Sequence, residues 1–176
     1  MKLLIGSAAS RNFGASDAVG EGHGVFLMYN AAGKIQLPNY NKFVADVLMK
    51  YKGFSMLLEY TNATATGLDL LFTDDLGSTI LAPTQISQFL ILGTGITGQL
   101  GYVTKKGYSF DLRYDLTKPE FKQNANSLLN ESATYTVGLS KYFDQNNVKV
   151  QASMSQTHFP IGPRVLGGML MVQVAF

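Results

Sequence analysis

Hydrophobic and polar residues alternate with a period of two along most of this chain. Phe43, Ala45, Val47, Met49 and Tyr51 fall on one side of a run whose other side carries Asp46 and Lys50. After Lys52-Gly53 the alternation resumes, with Phe54, Met56, Leu58 and Tyr60 opposite Ser55 and Glu59. A period of two with charge confined to one side is the signature of a strand, and the Lys-Gly step predicts a tight hairpin with Gly53 at positive φ. The same unit recurs at Ile96 to Thr104, a Lys105-Lys106-Gly107 turn, and Tyr108 to Tyr114, where Tyr108, Phe110, Leu112 and Tyr114 oppose Ser109, Asp111, Arg113 and Asp115. It recurs again from Thr134 to Phe143, through an Asp144 to Asn147 turn, into Val148 to Met154, with Lys149, Gln151 and Ser153 on the polar side. The final residues keep the pattern: Leu170, Val172, Val174 and Phe176 alternate with Met171, Gln173 and Ala175.

Turn lengths alternate as well. Short turns at 52–53, 105–107 and 144–147 separate longer polar connections at 61–85, 117–132 and 157–167. Short turns at one end and long loops at the other are the habit of outer-membrane barrels, whose strands show lipid only at every second residue. The reading is therefore all-β: a transmembrane antiparallel up-and-down β-barrel, with about eight strands in residues 1–176. Lys2 to Ala9 and Gly24 to Tyr29 are further strand candidates. Tyr51, Phe54, Tyr102, Tyr108, Phe143 and Phe176 are expected near the short-turn rim as an aromatic girdle. A strand that runs to a terminal aromatic fits the closing edge of such a wall. Met-Lys-Leu-Leu at the start makes a marginal leader, so an export signal and further strands are expected to belong to the complete protein.

Composition sharpens this picture. The chain is 46% hydrophobic but only 15% charged, and its mean hydropathy is +0.08. Its longest apolar runs, Val25 to Tyr29 and Phe89 to Leu92, fall far short of the roughly 20 residues of a membrane helix. Apolar overall but never apolar for long is what a lipid-facing barrel requires. The chain has no cysteine, which excludes a disulfide framework and thiolate metal sites. A formal charge of +2 without a dense basic run gives no nucleic-acid partner.

The run Ala45 to Tyr60, the Gly98-Gln-Leu-Gly-Tyr102 strand, Tyr108 to Asp115, Tyr135 to Leu139, Val148 to Gln151 and Val172 to Phe176 resemble, in order and spacing, the second half of the phosphate-selective porin O and P family. The resemblance covers about Lys42 to the end. It implies a sixteen-stranded, homotrimeric porin in the outer membrane of a Gram-negative bacterium, with residues 1–176 supplying the C-terminal half of the barrel. It also implies passive diffusion of small hydrophilic solutes or ions, anions such as phosphate among them. The basic ladder and constriction loop that give known members their anion preference lie largely outside the matched region, so phosphate selectivity does not carry over.

Asp46, Lys50, Glu59, Asp111, Arg113, Asp115, Lys149 and Gln151 are the candidate pore-lining residues. Their mixed signs imply weak steering of solutes rather than selection. The blander reading is that they pair across strands or fill a plugged small barrel. Tyr108, Phe110, Leu170, Val172, Val174 and Phe176 are expected to face lipid, with the terminal strand as the handle for the barrel-assembly machinery. Other motifs carry less. Gly93-x-Gly95-x-x-Gly98 fits a dinucleotide fingerprint, but strand and turn signals follow where a helix is required. His23 and His158 fall in expected loops; Asp46, Glu59 and His158 could form a hydrolytic site only by meeting inside a small barrel. Asp74-Asp75 lacks the spacing of a calcium loop. No enzyme activity and no cofactor are expected. Two alternatives remain: a small closed eight-stranded outer-membrane barrel with a structural or adhesion role, and a soluble lipocalin-like barrel with its faces inverted.

Overall fold

The structure is a computed structural model that describes residues 1–14, 28–143 and 148–174. Eight strands form one antiparallel sheet in strict sequence order: β1 (Lys2–Asn12), β2 (Asn39–Tyr51), β3 (Phe54–Thr66), β4 (Gly93–Val103), β5 (Tyr108–Pro119), β6 (Ser132–Phe143), β7 (Val148–His158) and β8 (Val165–Val174). A seven-residue helix, α1 (Pro83–Phe89), interrupts the connection between β3 and β4. It is far too short to cross a membrane. Register runs unbroken across each pair, so Asp46 lies opposite Glu59, Glu59 opposite Thr97 and Thr97 opposite Asp115.

The hairpins form for the reasons their sequences give. Lys52 and Gly53 both take positive φ, 45° and 89°, the hallmark of the turn whose twist matches that of the flanking strands. At the next turn Gly107 has φ 76°, and its N–H donates to the Thr104 carbonyl at 3.0 Å. The third short turn, 144–147, lies outside the described residues, as do Phe176 and His23.

Three expectations change. The sheet is up-and-down but open: among the described residues β1 pairs only with β2 and β8 only with β7. The polar side of this sheet mixes Gly6, Gly95, Gly101, Gly138 and Gly167 with serines, threonines and larger side chains such as Lys50, Gln99, Arg113 and Tyr142. The expected 61–85 connection is displaced, because β3 continues to Thr66 and the connection extends to Leu92. The expected strand at Gly24 to Tyr29 lies outside the described residues up to position 27; Met28 is fully buried, and Tyr29 makes only isolated bridges to Ile35 and Phe72.

The packed hydrophobic cluster lies in the connections, not between sheet layers. Met28, Leu71, Leu81, Ile86, Leu90 and Leu92 are buried together, with Tyr40, Ala65, Leu68 and Phe121 against them. α1 starts with Pro at its first position, where the missing N–H costs nothing, and the Gln85 side chain accepts from the Ala82 N–H at 2.8 Å.

Candidate functional site

Alternation from the register places every candidate pore-lining residue on one face. Asp46, Lys50, Glu59, Asp111, Arg113, Asp115, Lys149 and Gln151 share that face with Thr97, Ser109, Thr134, Ser140 and Ser153. One cross-strand row reads Asp46, Glu59, Thr97, Asp115, Thr134, Thr157. A hollow of about 260 Å³ opens beside Asp46, Glu59, Thr97 and Asp115.

Within the face, charge is partly paired. Arg113 grips Asp115 two residues along the same strand: Nε donates to both carboxylate oxygens, at 3.0 and 2.9 Å, and Nη2 donates to Oδ1 at 2.8 Å. Thr97 Oγ1 also donates to Asp115 Oδ1, at 2.8 Å. The pair is half exposed, so its worth lies in fixing the side chains more than in stability. Asp111 accepts from Ser109 Oγ at 3.0 Å. Lys149 Nζ stands 5.5 Å from the centre of the Tyr142 ring.

The polar side chains lie flat on the sheet where a neighbouring strand offers glycine. A Cβ at Gly101 would stand 2.6 Å from Ser55 Oγ and 2.7 Å from Asp111 Oδ1. At Gly6 it would stand 2.6 Å from Asp46 Oδ1, and at Gly167 2.8 Å from Ser155 Oγ. Gly95 and Gly138 on the same face, like Gly98 and Gly168 on the opposite one, have nothing nearer than 3.5 Å.

That opposite face is apolar and uncovered. Phe110, Leu112, Leu100 and Val137 are 53–58% exposed, whereas Ser109 and Ser140 on the polar face are 4% and 2% exposed. Tyr108, Phe110, Leu170, Val172 and Val174, the expected lipid-facing residues, all lie on this apolar face and are exposed. Its short-turn end carries the expected aromatic rim, with Phe54 and Tyr102 rings 4.5 Å apart and Lys141 Nζ 4.0 Å from the Tyr108 ring centre. Two further aromatic pairs on this face went unrecognised in the sequence: Phe43 with Tyr60 at 6.3 Å, and Tyr114 with Tyr135 at 4.9 Å. Register was the missing signal, since only pairing brings Phe43 beside Tyr60 and Tyr114 beside Tyr135.

Other sequence candidates disperse. His158 ends β7 rather than lying in a loop, edge-on to Tyr135 on the apolar face, so the sheet separates it from Asp46 and Glu59. The Gly93 to Gly98 motif lies within β4, with strand on both sides of Gly98. Asp74 turns its carboxylate into its own loop, accepting from the N–H groups of Leu76, Ser78 and Thr79 at 2.9–3.1 Å. The Ser78 N–H is the main cause of its lowered pKa. Among the described residues no group of three or more His, Asp or Glu is arranged to hold a metal ion.

Fold and site together define an all-β protein built on one open, up-and-down antiparallel sheet with an apolar face and a polar face. No family model matches the chain, and no curated protein or solved structure shows significant similarity to it.

Proposed function

We propose that this sheet is part of the wall of a transmembrane barrel, a porin in the outer membrane of a Gram-negative bacterium that passes small hydrophilic solutes by passive diffusion. The observation that carries this reading is the reversal of the usual order: large apolar side chains lie uncovered on one face while hydroxyls and charges crowd the other. Contiguous apolar surface of this extent is unusual on a soluble monomer. From Phe43 to Tyr51 the apolar band spans eight residue steps, roughly 27 Å along the strand and about 21 Å across a bilayer at the usual tilt. The aromatic row Tyr51, Phe54, Tyr102 and Phe110 at the short-turn end is where rings settle at a membrane–water boundary.

In this reading solutes move along the polar face. Asp46, Glu59, Asp111 and Asp115 stand among Lys50, Arg113 and Lys149, so permeation is governed more by size than by sign. Among the described residues the outer edges of β1 and β8 have no partner, and a wall in lipid needs both of them paired. This agrees with the sixteen-stranded, trimeric assembly implied by the resemblance to the phosphate-selective porin O and P family, in which β8 would also be the contact for the assembly machinery. Recording from the detergent-refolded protein in planar bilayers tests the reading. Stepwise, weakly selective conductance is expected; a protein that stays monomeric in water without detergent and gives no conductance would refute it.

A further inference from the structure

The short-turn end of the apolar face carries cations as well as rings. Lys52 occupies the β2–β3 turn, and Lys105 and Lys106 the β4–β5 turn; all three are exposed. Lys52 Nζ lies 5.3 Å from the centre of the Tyr51 ring, which belongs to the apolar face. Lys141 Nζ, on neighbouring β6, donates to the Lys106 carbonyl at 2.6 Å and stands over Tyr108, another ring of that face. Positive charge is thereby held on the apolar side of the rim. The strand carboxylates Asp46, Glu59, Asp111 and Asp115 all lie on the polar face. Among the described residues Lys52, Lys105 and Lys106 make no ion pair.

Directly beside these cations the apolar face is grooved. Phe54, Tyr102 and Phe110 line up across β3, β4 and β5, and Met56, Leu100 and Leu112 form the next row away from the turns. A hollow of about 610 Å³ with an almost wholly apolar lining opens among these two rows. Apolar walls ending in ammonium groups fit an amphiphile: a hydrocarbon chain in the groove and a headgroup of opposite sign at the turns.

We infer that this groove binds one anionic phospholipid, its acyl chain between the two rows and its phosphate at Lys52, Lys105 and Lys106. The inference rests on the membrane wall proposed above. It adds a preference for headgroup charge, which burial of apolar surface alone does not give. Lysine suits the task because it meets a phosphate as a point charge on a flexible stem.

Refolding into vesicles of phosphatidylcholine, alone or mixed with phosphatidylglycerol, tests the site. In urea titrations at low salt, phosphatidylglycerol should raise the folding equilibrium constant roughly 10- to 100-fold, since one lysine at an anionic surface is worth about fivefold. Lys52→Gln/Lys105→Gln/Lys106→Gln should lose most of that gain. Lys34→Gln/Lys118→Gln/Lys122→Gln, which removes the same charge from the long-connection end, should keep it. Native mass spectrometry of protein extracted from the mixed vesicles should show one phosphatidylglycerol retained per chain, and the first triple variant should lose it. Val137→Phe, which adds bulk to the hollow and leaves the lysines in place, should lose it as well. Equal loss of the gain in both triple variants would reduce the effect to net charge and overturn the site. Lipid retained in Val137→Phe would overturn the groove, and an oligomer without lipid would assign the groove to a second copy and overturn the proposal. Lipid retained as expected by a protein without conductance would uphold the site while overturning the pore. Failure to fold into either kind of vesicle would overturn the membrane wall and the site with it.

Discussion

Leu112→Lys separates a lipid-facing wall from a water-facing one. Leu112 sits mid-strand in β5 on the apolar face, 58% exposed, opposite Leu100 on one side and Val137 on the other. In water, lysine at so exposed a site would change stability by no more than about 0.5 kcal/mol. At the middle of a bilayer the same ammonium costs about 2–4 kcal/mol, because no water reaches it. At 25 °C that is a change of roughly 30- to 1,000-fold in the folding equilibrium. Ser153→Lys is the control, at a similar height on the polar face, where it lies opposite Gly138 and Met169. Urea titrations of folding into lipid vesicles, followed by the altered gel mobility of the folded protein, give both values. A loss below about 0.5 kcal/mol for Leu112→Lys, or an equal loss for Ser153→Lys, would refute the assignment of faces.

Three further outcomes follow from local geometry. Gly93→Ala should cost about 1–3 kcal/mol, because φ is 143° and its Cβ would meet the Lys118 carbonyl oxygen and stand 2.7 Å from Pro119 Cα; Gly168→Ala, with nothing nearer than 3.9 Å, should fold almost as well in the same titration. Gly53→Ala should cost about 1–2 kcal/mol, since φ is 89° and the new methyl would stand 2.6 Å from the Val103 carbonyl; folding midpoints should reveal it, and an unchanged midpoint would mean that the turn adopts another form. Asp74 has a lowered pKa, held first by the Ser78 N–H, so its support of the 74–79 loop is present at neutral pH and lost as pH falls through the folded value, below the ordinary carboxylate range. The amide shifts of Ser78 and Thr79 should titrate there by NMR and stop doing so in Asp74→Asn; a midpoint above the ordinary range would contradict the bonding described.

The strands were legible because their charges keep phase. Asp46, Lys50, Ser55 and Glu59 occupy alternate positions across the Lys52-Gly53 turn, which assigned both faces before any pairing was known, and Asp111, Arg113 and Asp115 did the same for β5. Closure was not legible, because alternation defines the two sides of a strand but not whether the first and last strands meet. The folded connection was missed for a different reason. Leu71, Leu81, Ile86, Leu90 and Leu92 are spread among polar residues and gather only when Met28 and Phe121 arrive from other connections. Pro83 followed by Ile86 and Leu90 at helical spacing was the available local sign of α1. Arg113 and Asp115 were read as two lining charges, although two residues apart on one strand face is close enough for the bidentate pair that forms.

Single-cysteine scanning along β5, from Tyr108 to Leu116, tests the orientation of the wall most directly. Each cysteine would carry a spin label in the protein refolded into lipid vesicles, and collision with oxygen would be compared with collision with a water-soluble nickel complex. Oxygen contact should peak at 108, 110, 112 and 114 and nickel contact at 109, 111, 113 and 115. A flat profile, or one with the two sets exchanged as in a soluble barrel that turns its apolar row inward, would contradict the proposed membrane wall.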